Sequence, residues 1–363
     1  MNDSIIELSN IDNNHSSMSK DNNSETYGFS RNKTDDYDPT PSVVFLATIF
    51  PFMVVGNIVV LTLILRKRGR KNRMDILFAN TACADLSVAL FLVLSDLFWH
   101  QSKYWYIGTA MCKLVRYFSM VATYSSNYAI VVLSIDRCLS VARPMQSISR
   151  GVKSCRVYIG ISWGLSFLFS IKIPFLFRIH YLNGPPQCGT IPMSPTEWQI
   201  YITLGAIAMF LIPAIIITIC YTIIVAIVWK NSEFRLSDTD AATNLTTKNI
   251  NSQATVPMGR HSISRAKIKS IKMTFGIVIA FIVSWSPYFI FNILVVYGYI
   301  NVSDSRTYQV SVLFQTFAPI NSAVNPVIFL IFNGKKYFKV CKKADSSQIE
   351  TKETNFYSQN NIH

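Results

Sequence analysis

The sequence predicts an all-α membrane protein, a seven-transmembrane helix bundle with a short amphipathic eighth helix. Three observations predict it. Seven apolar segments are long enough to cross a hydrocarbon core of roughly 30 Å. The chain of 363 residues is 50% hydrophobic and only 15% charged, where soluble domains carry about 25% charged residues. Its basic residues also gather between alternate segments, which a soluble helical bundle has no reason to arrange.

The segments lie near Val43–Leu65, Ile76–Ser95, Leu114–Ile135, Val157–Phe177, Ile200–Trp229, Met273–Ile300 and Tyr308–Phe332. With odd-numbered spans running inward, 25 of the 34 Lys and Arg fall on one side, in blocks at Arg66–Arg73, Arg137–Arg156, Lys230–Lys272 and Lys335–Lys352. Basic loops mark the cytoplasmic face, so the N-terminus is expected outside a plasma membrane and the C-terminus in the cytoplasm. The net charge of +14 is then an orientation signal and a contact for anionic membrane lipids. It calls for no nucleic acid partner.

Four regions follow. Residues 1–42 form a polar, disordered extracellular tail, with glycosylation sequons at Asn2, Asn14, Asn22 and Asn32. Residues 43–332 are the membrane domain. Residues 333–343, with Tyr337, Phe338 and Val340, read as an amphipathic helix on the inner leaflet. Residues 344–363 are a cytoplasmic tail. Cys341 is a candidate for palmitoylation, with an unmodified thiol as the alternative. Of seven cysteines, Cys112 and Cys188 alone fall on the oxidising side. A bridge between them would pin the loop after the fourth span over the bundle; the alternative is two unpaired thiols.

Each span carries a polar or proline feature. In order these are Gly56-Asn57; Asn80 and Asp85; Asp136-Arg137-Cys138; Trp163; Pro213 and Tyr221; Phe281, Trp285 and Pro287; and Asn321-Ser322 with Asn325-Pro326-Val327-Ile328-Phe329. An ionised group at membrane depth costs at least a few kcal/mol and persists when paired or functional. Asp136 most simply neutralises Arg137. The three prolines remove helical hydrogen bonds and allow kinks.

Taken together and in this order, the features resemble those of the rhodopsin-like G-protein-coupled receptors, from about Val43 to Lys343. That resemblance implies no enzymatic activity. It implies an outward swing of helix six about Phe281, Trp285 and Pro287, which frees Arg137 to meet a heterotrimeric G protein. Tyr221, Asn325 and Pro326 belong to the same switch, and tail Ser/Thr residues would recruit arrestin once phosphorylated. The resemblance also implies that Asn57, Asp85, Ser126, Asn321, Ser322 and Asn325 converge on an allosteric sodium ion, a hard cation suited to oxygen ligands. The alternative is a protonated Asp85 hydrogen-bonded to Asn57 and Asn325. Three positions depart from the family pattern: Cys138 and Phe329 replace the commoner tyrosines, and Lys267 stands where many relatives carry an acid that latches the arginine. A lysine cannot latch Arg137, which leaves Asp136 and packing to hold the resting state.

The ligand class is narrowed by exclusion. No lysine lies between Lys272 and Lys335, so a retinal Schiff base has no anchor. Ser119 stands seven residues after Cys112, where amine receptors place an aspartate. The outer helix ends offer Asp96, Trp99, Arg116, Ser119, Lys172, Glu197, Tyr288, Phe289, Asn292 and Gln315, a wide, partly charged cleft that suits a peptide. Ile263–Lys269, Phe281–Phe289, Val115–Phe118 and Leu133–Cys138 look like neuropeptide S, crustacean cardioactive peptide and vasopressin/oxytocin receptors. The implied ligand is a short neuropeptide, amidated or disulfide-cyclised, with signalling through Gq and calcium or through Gs. A seven-helix transporter or ion pump is the competing class. It would need a path lined by acids, and Asp85 is the only acid well inside a span.

Overall fold

The computed structural model describes residues 38–67, 69–102, 104–181, 186–246, 265–301, 305–335 and 337–338, with backbone alone for 147–150, 231–246, 265–267 and 305. The four N-terminal sequons, Cys341, the C-terminal tail and most of the predicted eighth helix lie outside these residues. Seven long apolar helices are present among the described residues: α1 (Thr40–Arg66), α2 (Arg73–Ser102), α3 (Gly108–Ala142), α4 (Gly151–Leu176), α5 (Pro195–Lys230), α6 (Ile268–Val296, continuing back to Arg265) and α7 (Arg306–Lys335). They match the seven expected spans and extend most of them by a turn or two.

The third helix is the axis of the bundle. Of its apolar stretch 83% is buried, against 22% for α1 and for α4. Its position explains its composition, because serines, Asn127 and Asp136 are tolerable in a span that faces protein on all sides. Before α4, Gly151 adopts φ 57°, a left-handed conformation that costs glycine little. It separates the short helical turn over 144–150 from α4 itself. The sixth helix stops at Val296, earlier than the sequence predicted, and Gly298 at φ 78° turns the chain.

Two features were not legible in the sequence. The first is a pair of π-helical segments, Val88–Val93 in α2 and Ile207–Leu211 in α5. A π turn widens the helix and disturbs its i→i−4 ladder, so it needs outside hydrogen bonds. The third helix supplies them. Ser119 donates to the Phe91 carbonyl, Asn127 to the Met209 carbonyl at 3.2 Å and Tyr128 to the Ala208 carbonyl at 3.1 Å. The second feature is a two-stranded antiparallel hairpin between α4 and α5, an exception to the expected all-α chain. Strand β1 (Phe177–His180) pairs with β2 (Gln187–Thr190), placing Ile179 opposite Cys188. The Cys112–Cys188 disulfide fixes this hairpin to the outer end of α3.

Candidate functional site

At the outer end a cleft of about 690 Å³ opens between α3, α4, α5, α6 and the segment that follows the hairpin. Of the residues expected there, Lys172, Glu197, Tyr288, Phe289 and Asn292 line it. Met120, Tyr124, Tyr201 and Met193 line it too and were not anticipated, because nothing in an isolated apolar residue distinguishes a cleft wall from core. Glu197 also accepts from the Ser194 backbone N–H at 2.8 Å and caps the start of α5. The remaining expected residues lie elsewhere. Arg116 is buried on the α2 side, paired with Asp96 at 3.1 Å. The Trp99 and Phe177 rings lie 6.0 and 5.8 Å from its guanidinium, within cation–π range. Ser119 is spent on the α2 π segment, and Gln315, half-buried on α7, does not line the cleft.

Beneath the cleft, aromatic rings couple α5 to α6. The Phe210 ring, inside the α5 π segment, lies 5.9 Å from Phe281 and stacks on Phe289 at 5.5 Å. Trp285 stacks on Phe289 at 5.6 Å, and its buried indole N–H has no protein partner. Pro287 interrupts the α6 ladder two residues on. The indole thus sits beside the helix proline, between the cleft and the cytoplasmic half.

At mid-membrane the carboxylate of Asp85 is fully buried and accepts from Ser126 at 2.6 Å and Asn325 at 2.9 Å. The Ser126 hydroxyl is 3.3 Å from that of Ser322. Asn57 does not reach Asp85; its amide donates to the Met53 and Ser322 carbonyls at 2.8 and 3.2 Å, tying α1 to α7. Gly56 permits that approach, because a Cβ there would come within 2.9 Å of Pro326. Both amide atoms of Asn321, and Oδ1 of Asn325, are buried without a protein partner. On the outside of this cluster Trp163 donates to Asn80 at 2.9 Å, joining α4 to α2.

At the inner end Asp136 is fully buried and accepts from two guanidiniums, those of Arg137 and of Arg73 in the first turn of α2. The Cys155 thiol of α4 lies 3.7 Å from the same carboxylate, and Arg73 Nε donates to its sulfur at 3.4 Å. Arg137 reaches α6 as well, donating to the Ser270 hydroxyl at 3.2 Å. Lys267 sits on the α6 backbone three residues earlier, and its side chain is outside the described atoms. Among the described side chains, the hydrogen bond from α6 to Arg137 is that of a hydroxyl. Cys138 is buried in the main core, and the Tyr221 ring lies 5.5 Å from that of Phe275. Phe329 is buried between Phe78 and Tyr337.

These three levels form one continuous column along α3: an outer cleft, a polar centre and an arginine at the inner face. A model of the family described as 7 transmembrane receptor (rhodopsin family) matches residues 56–329. The chain belongs to that family. Similar proteins include a neuropeptide S receptor of Homo sapiens, 35% identical over 82% of this chain and 78% of its own length. The neuropeptide S receptor of Rattus norvegicus is 34% identical, over 81% and 77%. A mesotocin receptor of Rhinella marina is 31% identical, over 88% and 81%. The receptor fold thus agrees with what the landmarks implied, and the protein is a multi-pass membrane receptor, not an enzyme.

Proposed function

We propose that this receptor binds an extracellular neuropeptide in the outer cleft and activates a heterotrimeric G protein at the inner face, with Gq and calcium favoured and Gs as the second branch. One observation carries the reading: Arg137 is held between an acid of its own helix and a hydroxyl of α6. Moving α6 outward breaks the Ser270 contact and opens the face around the arginine. The similarity to neuropeptide S and mesotocin receptors supports a peptide ligand. So does the cleft, where Lys172 and Glu197 flank an aromatic and aliphatic floor. The N-terminus faces outward and the C-terminus the cytoplasm, where the tail recruits arrestin and the basic residues meet inner-leaflet lipids.

The test is nucleotide exchange by Gq and Gs in membranes carrying the full chain, screened against amidated and cyclic neuropeptides. Arg137→Ala should remove the agonist response, with a loss of at least about tenfold in rate, which is ~1.4 kcal/mol. Exchange that survives this substitution at equal surface expression would refute the switch assignment.

The polar centre also fits a sodium ion. Asp85, Ser126 and Ser322, with the unpartnered amide oxygen of Asn325, form an all-oxygen donor set of the kind a hard cation takes. A bound sodium would neutralise the buried carboxylate and favour the resting packing. Replacing choline chloride by sodium chloride at constant ionic strength should raise the melting temperature of the receptor and leave that of Asp85→Asn unmoved. Equal sodium responses would remove the ion from this site.

A further inference from the structure

The ring at the end of the α7 motif lacks a hydroxyl, because the residue is Phe329. A hydroxyl is nevertheless present beside it. Phe329 packs at 4.9 Å from Phe78 and 5.4 Å from Tyr337, and the Tyr337 hydroxyl donates to Asp75. The Asp75 carboxylate is buried, accepts the Lys67 ammonium and accepts from the Asn72 backbone N–H at 2.8 Å. The same ammonium lies 5.7 Å from the centre of the Tyr337 ring. One carboxylate thus joins the inner end of α1, the first turn of α2 and the segment that follows α7.

We infer that Lys67, Asp75 and Tyr337 form a resting-state latch that positions Phe329 and sets how readily the receptor signals without ligand. The inference rests on the G-protein reading above. Phe329 can leave its pocket in two ways. It can slide off the Tyr337 ring, losing that tilted ring contact, or it can carry Tyr337 with it. The second route strips the hydroxyl from a buried carboxylate, and hydrogen bonds to charged acceptors are the stronger ones. The Lys67–Asp75 ion pair stays intact either way. Opening therefore costs either one ring contact, or one hydrogen bond and the Lys67 ammonium–ring contact, and it leaves the ion pair unbroken, a cost small enough for a reversible switch. Tyr337 and Asp75 are positioning residues here, since neither sits at the arginine or in the outer cleft.

The experiment uses the full-length receptor in lipid nanodiscs. Tyr337→Phe keeps the ring and its contact with Phe329 and removes only the hydroxyl. Ligand-free nucleotide exchange should rise about tenfold, equivalent to ~1.4 kcal/mol. Asp75→Ala should raise it as well, and Tyr337→Phe should add little on top of Asp75→Ala, because the hydroxyl then has no carboxylate left to hold. A second readout needs no G protein. A trifluoromethyl-phenylalanine at Phe338, which is half exposed, should show a second fluorine environment that grows in Tyr337→Phe. Growth of that signal with no exchange on any G protein upholds the latch and defeats the G-protein reading. Identical fluorine spectra in the two proteins, or fully additive effects of the two substitutions, overturn the latch.

Discussion

Asp136→Asn is expected to raise ligand-free nucleotide exchange by more than tenfold and to lower thermal stability. The carboxylate is fully buried and answers two guanidiniums. Removing one partner of a buried charge pair costs about 3–5 kcal/mol, because the remaining charge is left uncompensated. Here two are left. Arg137 then keeps its Ser270 contact at 3.2 Å but loses the charge that holds it against its own helix, so the guanidinium is freer to leave its resting position. Arg73 makes the prediction sharper, since its removal should act in the opposite sense. With Arg73→Met the carboxylate answers Arg137 alone, the pair tightens, and ligand-free exchange should fall below that of the unsubstituted receptor. A thiol-dye melt and a radiolabelled GTP-analogue assay on both variants, at matched receptor amounts, give the two readings. Basal rates that move in the same direction would show that Arg73 does not compete for Asp136.

Arg73 also shows where sequence reading stops. In the sequence it is one of six basic residues in the block Arg66–Arg73, and a block of that kind says only which face is cytoplasmic. Its partner lies 63 residues away, so the contact is fixed by how α2 and α3 cross, not by any local pattern. The same holds for Tyr337, whose acid is 262 residues distant. The seven spans were legible because length and hydropathy are local properties. The convergence of Asp85 with Ser126 and Asn325 followed from the family pattern, since a buried acid needs company and these were the polar groups at its depth. From sequence, Ser119 counts among the outer-cleft residues, seven residues after Cys112, where amine receptors carry an aspartate. In the structure its hydroxyl satisfies Phe91, a demand created by a π segment that no hydropathy profile reveals. Asp96 and Arg116, opposite charges at the outer helix ends, are paired with each other beside Trp99 and Phe177. A sequence gives the charges but not which of them are already neutralised.

Replacing both Cys112 and Cys188 by alanine should be the most damaging change at the outer face. The bridge closes a segment with a sequence separation of 76, and loops of that order lose about 4 kcal/mol of stabilisation when the cross-link goes. The local consequence is more specific than a lower melting temperature. The bridge fixes β2, and the chain leaving β2 carries Ile191 and Met193 into the cleft wall. Phe177 on β1 covers the Arg116 guanidinium. Without the bridge the hairpin keeps its own strand pairing, the Trp105 N–H to Pro186 carbonyl bond at 2.7 Å and the packing around Trp99, Trp105 and Ile173. Agonist binding should therefore fall by at least about a hundredfold, ~2.7 kcal/mol, while the inner-face contacts of Asp136 stay in place. Dithiothreitol supplies the control. It should reproduce the loss in the unsubstituted receptor and add nothing in the double alanine variant, because Cys83, Cys138, Cys155 and Cys220 are free thiols already. A reductant effect that persists in that variant would trace the loss to some other group, and unchanged agonist affinity would show that the hairpin holds its place by packing alone.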